Sequence, residues 1–136
     1  MIPRYRAWDG GSAARMYTSS EVMVCDGDIW IFDEDSDSNE WIVNNDLSLM
    51  QSTGLFDKNG KEIFEGDILN VESDEENLKV SVFWDDKHAL FMFESKKYNE
   101  EDALAELFED NSYSFKIIGN IWEDGELLDG ENTEEN

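Results

Sequence analysis

The stretch "DEDSDSNEWIVN", residues 33–44, concentrates groups able to hold a cation. Asp33, Asp35, Asp37 and Asn39 stand at alternate positions, the spacing that opens an EF-hand loop, where oxygen atoms wrap a calcium ion. Such a loop needs glycine at its sixth position for a sharp turn and a bidentate glutamate at its twelfth. Here those positions are Ser38 and Asn44. Strand-like segments flank the stretch where an EF-hand has helices. We read it as a solvated acidic hairpin loop, with weak cation binding as the lesser alternative, and assign no metal ligand.

His88 is the only histidine, so any Ser-His-Asp or Cys-His machinery has to use it. It follows "DDK" in a turn-like segment, and we expect an exposed turn residue. With one histidine and one cysteine there is little to build a zinc site from. Cys25 ends an apolar strand pattern, where a buried structural thiol is the default. Asp26 and Asp28 beside it disfavour a thiolate nucleophile. Acid catalysis by paired carboxylates needs two at a defined separation in a cleft. With 34 acidic residues, sequence cannot select a pair. "GKE" at 60–62 lacks the spacing and the Ser or Thr of a phosphate loop. No catalytic or cofactor-binding residue is therefore assigned, and no cofactor is expected.

The net charge is -24, from 34 acidic and 10 basic residues. Phosphate contacts need Lys and Arg, so direct nucleic-acid binding is disfavoured, as is an anionic membrane surface. Cations and basic proteins are the partners that charge permits. The longest apolar run is "ALFMF", residues 89–93, too short to span a bilayer. The start, "MIPRYRAWDGG", has no apolar core of the kind a signal peptide needs. One cysteine forbids an intrachain disulfide, and a reducing, cytoplasmic setting is expected.

The elements that position these residues are mostly strands. "RYRAWD" and "ARMYTS" bracket Gly10 and Gly11. "EVMVC", "DIWIF" and "EWIV" follow, with Asp26-Gly27 as a hairpin dipeptide. From Met16 to Asp57 there is no Lys or Arg. In "GLFDKNGKEIF", Asn59-Gly60 suits a two-residue hairpin with both residues at positive φ, and Gly66 marks a second bend. "LKVSVFW" places Leu78, Val80, Val82 and Trp84 on one face. Asn99 is a candidate N-cap for a helix through residues 99–110, with Leu104, Leu107 and Phe108 as its apolar stripe. "SFKIIGNIW" returns to strand. We expect eight to ten short strands and one helix, a mainly β fold. Core is the default place for the Trp and Phe side chains, and an exposed subset would suit an interface.

"RYRAWD", "LMQSTGLFDKNGKEIFEGDILNV", "VFWDD" and "IIGNIWEDGELL" resemble, in order and spacing, the YopX family of phage and prophage proteins. The resemblance runs from about Arg4 to Leu128. Trp122 and Gly125 depart from it, since Tyr and Pro are frequent there in the family. It implies an SH3-like β-barrel over residues 55–128 with the helix at about 99–110 inserted. It also implies a smaller β-rich module over residues 1–54, and we expect residues 129–136 to be a disordered acidic tail. It brings no established enzymatic activity. We therefore expect a non-enzymatic, host-cytoplasmic protein that binds another protein, basic in character, and self-association is a further possibility. A first alternative is mimicry of DNA. A compact chain of this length has a diameter on the order of 36 Å, hence about one net charge per 1.5 Å, against about one per 1.7 Å of duplex. A second alternative is a hydrolase using a carboxylate-bound metal.

Overall fold

The computed structural model describes residues 2–11, 14–32, 40–109 and 113–133. The mainly β fold class is as the sequence suggests. Twelve strands and two short helices occur among the described residues. They form two compact units, Met1–Ser52 and Thr53–Asn136.

The first unit holds β1 (Tyr5–Asp9), β2 (Arg15–Tyr17), β3 (Val22–Cys25), β4 (Asp28–Phe32), β5 (Trp41–Val43) and the first half of β6 (Ser48–Phe56). β1 lies between β2 and β6, antiparallel to both, which sets Ala7 between Tyr17 and Leu49. Ala7 is fully buried. Tyr17, Val22, Ile31 and Leu47 close a small core around it. The other sheet runs β3-β4-β5. Its first turn is Asp26-Gly27, both at positive φ (53° and 81°), joining Cys25 to its partner Asp28. That is the type I′ geometry expected of this dipeptide.

The second unit holds the rest of β6 and then β7 (Glu62–Phe64), β8 (Asp67–Glu72), β9 (Asn77–Asp85), β10 (Leu90–Ser95), β11 (Glu100–Ala103), α1 (Ala105–Glu109), β12 (Ser114–Asn120) and α2 (Glu126–Thr133). Five of these strands make an antiparallel sheet in the order β11-β10-β9-β8-β12, compatible with a small SH3-like barrel. Leu69, Val71, Val80, Val82 and Phe115 share one face of it. They bury against Ile63, Leu104 and Leu107. The alternation read in "LKVSVFW" is this face.

Asp57 fastens the β6–β7 turn to the sheet. One carboxylate oxygen accepts the N–H groups of Asn59 (2.9 Å) and Lys61 (2.8 Å), and the other accepts that of Ile117 (2.9 Å). Ile117 sits at the bulge of β12, between Ile117 and Gly119. Burial pushes the Asp57 carboxyl up, but the bonds from Ile117, Lys61 and Asn59 outweigh it and hold its pKa below the ordinary value. At the other end of β12, Asn120 caps the "NIWED" turn by accepting from the N–H groups of Trp122 and Glu123.

Four expectations are corrected. The β6–β7 turn is not a two-residue hairpin, because only Gly60 takes a positive φ (79°) and Asn59 does not. Gly60 N–H donates to Asp57 O and Asp57 N–H to Lys61 O, a three-residue loop with glycine in the left-handed position. The helix over 99–110 shrinks to α1. Asn99 has φ 52°, unlike an N-cap, and closes a hairpin whose second strand is β11. Leu104 and Leu107 of the expected stripe are buried all the same. A second helix, α2, runs through 129–133, where a tail was expected. Its Leu128 is buried and anchors it, and residues 134–136 lie outside the described residues. Finally, none of the five Trp is fully buried: Trp8 and Trp30 are half-buried, and Trp41, Trp84 and Trp122 exposed.

Candidate binding surface

The β3-β4-β5 sheet is apolar on both faces and has a core behind only one of them. Register puts Val22, Ile31 and Ile42 side by side, and Val22 and Ile31 turn inward to the core. The intervening residues point the other way. Met23, Trp30 and Val43 form one row on that outer face, and Phe32 and Trp41 the next. The Phe32 and Trp41 rings meet at 5.5 Å between centroids. Met23, Trp41 and Val43 remain 37–43% exposed. On the opposite face, Val24 of β3 and Ile42 of β5, at the two edges of the sheet, are equally open. β5 is an edge strand whose three residues are all exposed and apolar. Soluble proteins usually blunt such an edge with charge, proline or a cover.

Loop side chains brace the sheet locally. Asn45 accepts the Ile29 N–H through Oδ1 and donates through Nδ2 to Asp28, both at 2.9 Å. Asn44 N–H donates to Ile29 O, which holds the end of β5 against β4. Trp30 Nε1 is buried within this platform and has no hydrogen-bond partner. From Glu21 to Asp46 there are nine acidic residues and no Lys or Arg, so the apolar rows stand in an anionic segment.

The residues singled out from the sequence do not converge. Asp33, Asp35, Asp37 and Asn39 lie outside the described residues. Cys25 is exposed at the end of β3, not buried, because register turns it to the outer face with Met23. His88 is exposed in a turn, as expected, with Nδ1 at 2.7 Å from Asp85 Oδ2. That contact, with the N–H of Lys87, holds the Asp85 carboxyl below its ordinary pKa against the effect of desolvation. Among the described residues no group of three or more His, Cys, Asp or Glu could hold a metal ion. No helix of the described residues is long and apolar enough to cross a membrane. Strand alternation alone misses the open apolar face, since it marks a two-sided apolar strand without telling which side is covered.

Comparison with known proteins fits this architecture. The family model described as "YopX protein" matches residues 4–129. The crystal structure of protein yopX from Bacillus subtilis is similar over 92% of this chain and 97% of that one, with a TM-score of 0.62 and 18% identity. The crystal structure of protein EF1440 from Enterococcus faecalis is similar over 94% of this chain and 99% of that one, with a TM-score of 0.59 and 26% identity. No curated protein matches.

Proposed function

The chain belongs to the YopX family, and from that premise we propose that it is a non-enzymatic, phage-encoded protein that binds a basic partner protein through the outer face of the β3-β4-β5 sheet. The observation that carries this is the pair of apolar rows, Met23-Trp30-Val43 and Phe32-Trp41, of which Met23, Trp41 and Val43 are exposed, in a sequence segment with no basic residue. Large aromatic and Met side chains are the types enriched at the centre of protein interfaces. The net charge of -24 adds attraction for a cationic partner and speeds encounter. The same net charge opposes a second copy as the occupant.

Duplex mimicry needs carboxylates confined to one strip. In the second unit they fall on both faces of the sheet: Glu94 pairs with Glu101 on one side, while Glu100 and Asp102 point to the other. The basic residues Lys79 on β9 and Lys116 on β12 stand on either side of Asn70 of β8 in the same sheet. Protein binding through an apolar patch fits this pattern better than mimicry.

The test compares the native chain with the double variant Trp41→Ser/Val43→Ser as bait in lysate from phage-infected cells, read by mass spectrometry. Both residues are partly exposed, and Trp41 packs on Phe32, so the comparison uses variant protein whose circular-dichroism spectrum matches the native one. A basic protein retained by the native chain and lost with the variant is the expected outcome. Equal retention by both would sink the proposal, as would turnover of any substrate by the purified chain.

A further inference from the structure

A separate feature of the second unit, independent of the apolar sheet above, points to a small ligand. The core-facing side of the five-stranded sheet does not stay apolar to its edge. Register places Asp102 beside Phe93 and Glu100 beside Ser95, and Phe93 in turn lies beside Val82, one of the most buried side chains. Two carboxylates therefore stand on the face where the strand period calls for apolar residues. Local departures of this kind concentrate at functional sites. Inward charges also keep an edge strand from pairing with other chains. That purpose accounts for Glu100 and Asp102 on β11, but not for a third carboxylate, Glu106, which comes from α1.

The three acids wall a recess of about 280 Å³ between sheet and helix. Its floor is the core itself, through Val71, Val80 and Leu107, and Tyr98 and Tyr113 stand at its sides. Tyr98 is held in place by its hydroxyl bond to Glu76, which also pairs with Lys97 at 3.1 Å. The side chains of Glu100, Asp102 and Glu106 are exposed and have no hydrogen-bond or ion-pair partner among the described residues. The volume lies just below the roughly 300 Å³ at which pockets for larger ligands begin, so the recess suits one side-chain-sized group. The carboxylates exclude an anion. They do not gather as a metal-binding group. An apolar floor, tyrosine rings and unpaired carboxylates at the rim match an aliphatic stem ending in a cation.

The geometry points to this recess as a binding site for a primary alkylammonium group, carried either on a lysine side chain of a partner or on a free aliphatic amine. The stem covers Val80 and Leu107, and the ammonium is shared by Asp102, Glu106 and the Tyr113 ring, since the Tyr98 ring already carries Lys97 Nζ at 5.5 Å.

Amide NMR of the full chain tests this with three probes: n-butylammonium, the uncharged n-butanol, and N-acetyl-lysine methylamide. Butylammonium should shift amides clustered at residues 93–107 and saturate, and butanol should bind at least about fivefold more weakly. Binding of the lysine probe as tight as that of butylammonium assigns the site to a partner's lysine; exclusion of the lysine probe assigns it to a free amine. The isosteric double variant Asp102→Asn/Glu106→Gln should weaken butylammonium by roughly tenfold while keeping the native spectrum elsewhere. Should that variant lose the native spectrum, Tyr113→Leu, at an exposed position, takes its place, with an expected loss of about threefold. No localised shift with either amine overturns the assignment, as does equal binding of butylammonium and butanol. Because all of this lies within Thr53–Asn136, failure here leaves the Trp41/Val43 comparison as it was, and the reverse.

Discussion

Asp57 shows how much one side chain can organise. Its two oxygens satisfy three backbone N–H groups, two inside its own turn and one on β12. Asp57→Ala leaves these part-buried donors without their carboxylate partner, so we expect a loss of about 1–3 kcal/mol in urea unfolding. The folded pKa of Asp57 lies below its unfolded value, so its contribution is complete above the unfolded pKa, near 4. It disappears as pH falls through the folded value. Glu21 shifts the same way, chiefly through the Thr18 N–H and against desolvation, with Arg15 assisting. Unfolding midpoints should therefore hold steady from neutral pH down to about 5 and drop below about 4, and the drop should shrink in Asp57→Ala. Gly119 is a second case at this scale. A Cβ there would come within 2.5 Å of the Asp124 carboxylate, which accepts the Asn120 N–H. Gly119→Ala should cost about 1–3 kcal/mol in the same experiment.

At the level of elements, Asp26-Gly27 was readable because a type I′ turn asks for two residues at positive φ, and few dipeptides supply them. Gly27→Ala keeps open space around the new methyl but forces φ near 81° on an L side chain, and about 1 kcal/mol should be lost in thermal unfolding. β9 was readable because its alternation is strict. β11 was not. "EEDA" has the acids of a helix's first turn, and only pairing with β10 decides for strand, a long-range fact that composition does not carry. Nor were the two surfaces proposed above to bind ligands legible. Met23, Trp30 and Val43 look like core in any strand pattern, and openness depends on what packs behind the sheet. Glu100, Asp102 and Glu106 meet only once the hairpin and α1 are folded.

Over the whole molecule, charge and core pull against each other. Each unit has its own apolar cluster, and a net charge of -24 repels itself around both. Screening shortens that repulsion, since the Debye length falls from about 30 Å at 0.01 M salt to about 8 Å at 0.15 M. The thermal midpoint should rise by several degrees across that range, read by circular dichroism; a flat or falling midpoint would show that attractive ion pairs dominate.

The 60-residue reach from Asp57 to Ile117 also sets a schedule. On a ribosome adding about 5–20 residues per second, the Asp57 turn emerges roughly 3–12 s before the strand that completes its carboxylate's coordination. Throughout that wait the nascent chain presents β7 to β10 without their closing strand. The second unit can lock only once Ile117 has emerged, whereas residues 1–52 have all their own pairing partners long before.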